Sequence, residues 1–272
     1  MQVVILAGGL GTRLRPLTEL VPKPMAPVQG KPFLEYLIQY LAAQGFRRFL
    51  LLVGYLGRHV QDHFGDGSSF GVDIEYAFED SPLGTGGALR AALPRLESEF
   101  LLLYGDSFLP IDYRALTVDF RRSELPAMVV VYDNRIAHTG VKNNVAIADG
   151  GLVTCYKKGV DAPDLQYVEA GVLCLSRDVI ASIPEAAVVS LEQEIFPILI
   201  ARRQLGGAVT SQRFFDIGTP ARLEEFSHSV CSFLKRPCAL ASSAAARISP
   251  ASTAGRVALS SAWLWTSTST SP

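Results

Sequence analysis

Hydrophobic residues occur in short runs that alternate with longer periodic stretches. The runs at 3–7, 49–53, 100–104 and 128–132 are almost wholly apolar and lie next to Gly, Pro or Asp, as is typical of strands buried on both faces. Between them, apolar side chains recur at three- and four-residue steps, as in residues 33–41, and Gly45 follows as a stop signal. Ser190 and Gln193 form a capping-box pattern ahead of a later helix. The alternation predicts an α/β domain with one mostly parallel sheet and helices on both faces.

The periodic pattern ends near residue 234. From Lys235 onward the chain has four basic and no acidic residues, many Ala, Ser and Thr, and no sustained period. We therefore predict a domain over residues 1–234 and a tail over 235–272 that is disordered or foreign to the domain.

Composition narrows the classes of function. The 25 basic and 26 acidic residues give a net charge of −1, which does not favour nucleic acid or an acidic membrane surface as a partner. No apolar run reaches the roughly 20 residues of a transmembrane helix, and the N-terminus starts with a predicted strand instead of a basic leader. The four cysteines match no zinc or redox spacing. We expect a cytoplasmic protein.

A glycine-rich loop follows the first predicted strand. Residues 6–18 are Leu-Ala-Gly-Gly-Leu-Gly-Thr-Arg-Leu-Arg-Pro-Leu-Thr, and Pro-Lys-Pro follows at 22–24. Glycine lacks a Cβ, so the backbone N–H groups of this loop can approach a phosphate closely. Arg13 and Lys23 add cations, and the two prolines beside Lys23 restrict its backbone. The loop is a candidate binding site for phosphate groups.

Other glycine-loop chemistries fit these residues less well. A P-loop needs Lys and Ser or Thr after its last glycine, where this chain has Thr12 and Arg13. A dinucleotide fingerprint needs a sixth-position glycine, where this chain has Leu14. The stretch instead resembles the signature of the sugar nucleotidyltransferase family, G-G-x-G-T-R-L-x-P-L-T followed by P-K-P. The similarity extends over nearly all of residues 1–232, and its pattern is most similar to D-glycero-D-manno-heptose 1-phosphate guanylyltransferases.

The resemblance implies a Rossmann-like fold and an enzyme that joins a sugar 1-phosphate to a nucleoside triphosphate and releases pyrophosphate. It also implies that the loop wraps the triphosphate, that Arg13 contacts the phosphates and that Lys23 neutralises charge at the reacting groups. The loop residues expected to bind the nucleotide are Ala7, Gly8, Gly9, Gly11 and Thr12.

The resemblance also implies that a second glycine-rich segment borders the nucleobase. Glu79 is followed by Gly84, Thr85 and two further glycines. A carboxylate only accepts hydrogen bonds, so Glu79 suits the two donors on the edge of guanine and favours GTP. A solvated turn explains the carboxylate equally well, and the same chemistry with UTP, dTTP or CTP and a hexose or amino-sugar phosphate stays open.

Two aspartates are candidate Mg²⁺ ligands. Asp106 follows a predicted strand, where the carboxyl ends of an open sheet bind ligands, and Asp216 lies in Phe-Asp-Ile-Gly-Thr-Pro. Alone, Asp106 fits a turn and Asp216 a helix cap. The resemblance implies that they share a magnesium ion, which prefers carboxylate, water and phosphate oxygens.

Three further residues are expected near the sugar. By resemblance, Lys158 holds the sugar phosphate and Glu169 contacts sugar hydroxyls, although many relatives have Asn at the latter position. An exposed pair of surface lysines, Lys157 and Lys158, is the alternative explanation for Lys158. Asn144 is a third candidate, and a turn explains it equally well. A non-catalytic sensing module on the same fold is a second class of function. It is disfavoured because the cationic and metal-binding positions are all present, namely Arg13, Lys23, Asp106 and Asp216. A homodimer is one of the assemblies that the sequence leaves open.

Overall fold

The computed structural model describes residues 1–159, 162–185 and 187–234. The strands are β1 Gln2–Leu6, β2 Pro27–Val28, β3 Lys31–Pro32, β4 Arg48–Val53, β5 Asp73–Phe78, β6 Glu99–Tyr104, β7 Ser107–Phe108, β8 Ala127–Asp133, β9 Val145–Ile147, β10 Val153–Tyr156, β11 Tyr167–Ser176, β12 Leu205–Thr210 and β13 Phe215–Asp216. The helices are α1 Phe33–Ala43, α2 Gly57–Phe64, α3 Gly84–Ala91, α4 Tyr113–Ser123, α5 Arg177–Ala181, α6 Phe196–Ala201 and α7 Pro220–Leu234. The predicted tail over 235–272 lies outside the described residues.

A mixed sheet forms the centre of the domain. Its strand order is β10-β9-β11-β6-β1-β4-β5, and β8 pairs with both β11 and β12. Strands β6, β1, β4 and β5 are mutually parallel, as are β8 and β12. The long strand β11 is antiparallel to its neighbours. The predicted mostly parallel, mixed sheet is confirmed.

Helices cover both faces of the sheet. Since successive side chains of a strand point to opposite faces, Val3 and Ile5 of β1 pack with α1, α2, α4 and α7. Val4 packs on the other face with α3, α5 and α6. Both faces of β1 are buried, which explains its continuous apolar sequence.

The start of the helical segment that leads into α6 differs from the prediction. Ser190 accepts a hydrogen bond from the backbone N–H of Gln193 at 3.2 Å, as expected of a cap. The reciprocal acceptor, however, is Glu194, whose Oε1 lies 2.8 Å from the Ser190 N–H. Residues Leu191–Ile195 form a π-helical turn, which is wider than an α-turn and moves the reciprocal position along by one residue. The prediction of Gln193 as that partner was wrong.

The sheet places the loops of interest side by side. Leu6 and Tyr104 end the neighbouring parallel strands β1 and β6 and are in register. The glycine loop after β1 and the Gly105-Asp106 segment after β6 therefore leave the sheet at the same edge.

Candidate active site

The glycine loop is folded back against the lysine segment. Gly11 has φ +61° and precedes a short 3₁₀ turn at Thr12–Leu14, and its carbonyl accepts a hydrogen bond of 2.9 Å from the Thr18 hydroxyl. A Cβ at Gly11 would lie 2.9 Å from Lys23 Cβ. Glycine is required here both by the left-handed conformation and by contact with Lys23.

Lys23 and Asp106 form an ion pair at the carboxyl edge of the sheet. Lys23 begins the 3₁₀ turn Lys23–Met25, directly after the extended Pro22. Its ammonium donates a hydrogen bond to Asp106 Oδ2, and its side chain is 11% exposed. The two residues that the sequence assigned to catalysis and to metal binding are therefore in direct contact.

Asp216 lies next to this pair. The backbone of Asp216 pairs with Ser107 in the short β7–β13 ladder, and the Ile217 N–H donates to the Asp106 carbonyl at 3.0 Å. The Asp216 carboxylate accepts from the Gly218 N–H at 2.8 Å and from Arg222 Nη1 at 2.6 Å. The ladder brings the two predicted magnesium ligands onto adjacent segments.

Arg13 reaches the same region from the glycine loop. A Cβ at Gly218 would lie 2.7 Å from Asp216 Oδ1 and 3.5 Å from Arg13 Nη2. The guanidinium of Arg13 thus lies beside the segment that carries Asp216, and Arg13 is otherwise exposed.

A cavity of about 380 Å³ opens between these loops. Nine of the predicted site residues line it: Ala7, Gly8, Gly9, Lys23, Glu79, Gly84, Thr85, Asp106 and Lys158. The other predicted residues are outside its lining: Gly11, Thr12, Arg13, Asn144, Glu169 and Asp216. The cavity also has Tyr104 and Glu192 in its wall, which the sequence interpretation did not include.

The positions of Gly84 and Gly87 in the second loop require glycine for a different reason from the one expected. A Cβ at Gly84 would lie 2.5 Å from the Val189 carbonyl oxygen, and one at Gly87 would lie 2.4 Å from that of Ala187. The N–H groups of Gly86 and Gly87 both donate to Val189 O, at 2.8 and 3.2 Å. The close approach is therefore to the chain's own backbone, and these two N–H groups do not point at a ligand.

Glu79 lies between the two glycine loops. Its Oε2 accepts from the Leu83 N–H at 3.1 Å, and a Cβ at Gly8 would lie only 2.0 Å from its Oε1. Burial raises the pKa of Glu79, and the Leu83 hydrogen bond opposes this. The absent side chain of Gly8 leaves the space that the carboxylate occupies.

Lys158 is held by a buried carboxylate, Glu192. Lys158 Nζ lies 3.2 Å from Glu192 Oε1, and Glu192 is 6% exposed. Burial alone would raise the pKa of Glu192, but Lys158 and hydrogen bonds from Tyr104, Ser190 and Thr85 lower it to about 2. Nothing in the local sequence distinguishes the buried Glu192 from the exposed Glu194 two residues later. The difference comes from tertiary contacts of Glu192 with Thr85 of α3 and Tyr104 of β6.

Glu169 and Asn144 form a buried pair behind Lys158. The side-chain oxygen of Asn144 accepts from the Glu169 N–H at 2.9 Å, and Tyr156 donates to Glu169 Oε2. Glu169 Oε1 is buried without a hydrogen-bond partner among the described residues. Burial raises the pKa of Glu169, and the nearby Lys158 opposes this. Asn144 thus fixes the backbone at Glu169, while Tyr156 contacts its carboxylate.

Residues 2–232 match the family model described as Nucleotidyl transferase. The chain belongs to the nucleotidyl transferase family. The match covers β1 to most of α7 and includes every predicted site residue.

Two curated members of the nucleotidyl transferase family show how the chain compares with its relatives. It is 32% identical over 231 residues to a D-glycero-alpha-D-manno-heptose 1-phosphate guanylyltransferase from Campylobacter jejuni. The matched region covers 84% of this chain and 98% of that protein. It is 35% identical over 222 residues to a mannose-1-phosphate guanylyltransferase from Mycobacterium tuberculosis. The matched region covers 81% of this chain but only 62% of that protein.

A solved structure agrees with this family assignment. HddC from Yersinia pseudotuberculosis, complexed with GMP-PN, matches with a TM-score of 0.69 and 28% identity over 84% of this chain and 98% of its own.

Proposed function

We propose that the protein transfers a nucleotidyl group from a nucleoside triphosphate to a sugar 1-phosphate, giving a nucleoside diphosphate sugar and pyrophosphate. The observation that carries the proposal is the Lys23–Asp106 pair in a cavity lined by Gly8 and Gly9. Two polyanions must meet for this reaction, so the site has to supply fixed cations and close backbone approach.

The reaction is a direct in-line displacement. A phosphate oxygen of the sugar 1-phosphate attacks the α-phosphorus, the α–β phosphoanhydride bond breaks, and pyrophosphate leaves with the bonding electrons. The nucleophile is already anionic, so no general base is required. Catalysis then consists of positioning and charge neutralisation. Lys23 and Arg13 neutralise the triphosphate, and Lys158 holds the sugar phosphate.

The two carboxylates Asp106 and Asp216 fit a magnesium ion. They lie on adjacent segments, and Mg²⁺ is usually held by one or two carboxylates while phosphate oxygens and water complete its coordination. Among the described residues, no group of three or more His, Cys, Asp or Glu forms a dedicated metal site, which suits a cation shared with the substrate. When bound, the ion supplies charge neutralisation at the reacting phosphates.

GTP is the triphosphate that we favour. Glu79 lines the cavity, and an ionised carboxylate accepts hydrogen bonds from the two donors on the edge of guanine. The guanylyltransferase names of two relatives and the GMP-PN complex of HddC agree with this choice.

Pyrophosphate release tests the proposal. Purified protein is incubated with Mg²⁺, each of GTP, UTP, dTTP and CTP, and a panel of hexose, heptose and amino-sugar 1-phosphates. We expect release with GTP and one class of sugar phosphate. No release with any pair would refute nucleotidyl transfer, and equal rates with all four bases would refute the role of Glu79.

We place the reaction in the cytoplasm. Cys155 and Cys174 are unpaired in the described part of the chain, as is usual for proteins of a reducing compartment. Within that same part, no helix has the length and apolar character needed to cross a bilayer.

A further inference from the structure

Glu192 is a carboxylate with all of its hydrogen-bonding positions occupied. Oε1 accepts from the Tyr104 hydroxyl at 2.5 Å and from Lys158 Nζ at 3.2 Å. Oε2 accepts from the hydroxyls of Thr85 and Ser190, each at 2.7 Å. A carboxylate offers about four lone-pair sites, and four donors already fill them.

This saturation distinguishes Glu192 from the carboxylates of the metal site. A group that binds a sugar hydroxyl or a metal ion needs a free lone pair, and Glu192 has to break an existing bond to provide one. A carboxylate in a site for two polyanions also repels both substrates unless a cation neutralises it. The arrangement therefore points to a role that Glu192 performs through its partners.

The partners come from both sides of the cavity. Lys158 is the residue assigned to the sugar phosphate, whereas Thr85 lies in the first turn of α3, next to the expected nucleobase. Thr85 Oγ1 also accepts from the Leu191 N–H at 2.9 Å. Glu192 thus joins the two half-sites through one buried side chain.

Of its partners Lys158 and Thr85, Glu192 affects Lys158 more directly. The Lys158 side chain is 48% exposed, and a long flexible ammonium at that exposure loses considerable rotamer entropy when it is fixed. Glu192 at 3.2 Å is the nearer of its two carboxylate partners, the other being Glu169 at 3.9 Å. Together they hold Lys158 at the cavity wall beside the rings of Tyr104 and Tyr156, 5.8 and 6.0 Å from their centroids. The entropic cost of ordering Lys158 is then met on folding instead of on substrate binding.

We propose that Glu192 is a positioning residue that orders Lys158 for the sugar phosphate and connects it to the nucleobase loop through Thr85. This inference rests on the proposed function, since it takes Lys158 as the sugar-phosphate ligand. Glu192 itself touches neither substrate.

A double-mutant cycle in Glu192→Gln and Lys158→Ala tests the inference. Calorimetry measures binding of α-D-mannose 1-phosphate and, separately, of GTP with Mg²⁺. We expect Glu192→Gln to weaken sugar-phosphate binding about 10-fold, or about 1.4 kcal/mol, and GTP binding less than about 3-fold. In the Lys158→Ala background, Glu192→Gln should cause no further loss, because coupled residues are not additive.

Glu194→Gln is the matched control. Glu194 lies on the same π-helical turn, is exposed and keeps an acceptor for the Ser190 N–H as glutamine. We expect it to bind both ligands like the wild type. If it instead weakens sugar-phosphate binding as much as Glu192→Gln does, loss of charge on this turn is responsible and the inference is overturned.

Three other results would also overturn it: wild-type affinity in Glu192→Gln, an equal loss for both ligands, or an undiminished loss in the Lys158→Ala background. If Glu192→Gln does not fold, Tyr104→Phe removes one hydroxyl donor to Oε1 but keeps the Lys158 bond, and it must show a smaller loss that is likewise sugar-selective and Lys158-dependent. Binding requires no turnover. Absence of pyrophosphate release therefore refutes the proposed function, while the binding affinities of the double-mutant cycle still test the role of Glu192.

Discussion

The ammonium of Lys23 is hydrogen bonded to the carboxylate of Asp106, a residue 83 positions away in sequence. Lys23 is held by the turn after Pro22, and Asp106 by the end of β6. The attraction between the two charges offsets part of the desolvation cost of burying Lys23. The pair also places a cation and an oxygen of a predicted magnesium ligand at one point of the cavity.

Replacement of Lys23 by alanine should lower kcat by at least about 100-fold, because Lys23 offsets charge that develops in the transition state. Steady-state kinetics with the preferred triphosphate and sugar phosphate measure this. Lys31→Ala, which removes an exposed lysine paired with Glu35, is the control and should retain wild-type kcat. A change in Lys23→Ala that is confined to KM would contradict the catalytic role.

Asp106→Asn and Asp216→Asn should each increase the Mg²⁺ concentration required for half-maximal activity by about 10-fold or more, since a hard cation loses a charged oxygen ligand. Titration of chelator-treated protein with MgCl₂ gives this value. Asp133→Asn is the control, because Asp133 pairs with Arg135 away from the cavity. Its activity should require the same Mg²⁺ concentration as that of the wild type. Unchanged magnesium dependence in both site variants would refute the assignment.

Alanine substitutions at Gly8 and Gly9 should separate two functions of the loop, which are the approach of the triphosphate and the placement of Glu79. A Cβ at Gly9 has no heavy atom within 4 Å, so Gly9→Ala should leave the Tm unchanged and yet raise KM for the triphosphate about 10-fold by obstructing phosphate approach. At Gly8 the Cβ would displace the Glu79 carboxylate, so Gly8→Ala should also reduce the preference for GTP. Thermal unfolding and base-panel kinetics measure both effects. Unaltered triphosphate KM in Gly9→Ala would contradict the loop's role.

The base preference should depend on the charge of Glu79. Glu79→Gln replaces an acceptor-only group with one that also donates, so we expect kcat/KM for GTP relative to UTP to fall about 10-fold. The exposed neighbour Asp80 provides the control, and Asp80→Asn should keep the wild-type ratio. The same measurement with both variants decides whether the carboxylate reads the base.

Glu192 should contribute stability that depends on pH in a defined direction. Its pKa in the folded protein is about 2, against an ordinary value of 4.5. The stabilisation, about 3 kcal/mol at neutral pH, is complete above about pH 4.5 and is lost as the pH falls toward 2. Urea unfolding of wild type and Glu192→Gln should therefore differ most at neutral pH and converge in acid. A difference that grows on acidification would contradict the assignment.

The sequence predicted the sheet, the helices on both of its faces and nine of the residues that line the cavity, since these follow from local patterns and from strands that end at one edge. Leu6 and Tyr104 are in register at the ends of two parallel strands, and in the sequence both ends are marked by an apolar run that meets a glycine segment. The π-helical turn after Ser190 was missed, because the one-residue widening has no local signal. Glu192 was missed for a related reason, since its role depends on contacts with residues 85, 104 and 158, which are distant in sequence. The roles of all the predicted site residues, including those that line the cavity, stay predictions.

The backbone at the start of α3 has a consequence for solution behaviour. With the Gly86 and Gly87 N–H groups bonded to the Val189 carbonyl, the dipole of this helix contributes little direct bonding to a phosphate. Attraction of the triphosphate is then expected to depend on the backbone of the first glycine loop and on the charges of Arg13 and Lys23, whose fields electrolytes screen over about 8 Å at physiological ionic strength. Substrate capture should therefore weaken steeply as salt is added, while the fold, held by its apolar core, tolerates the same salt.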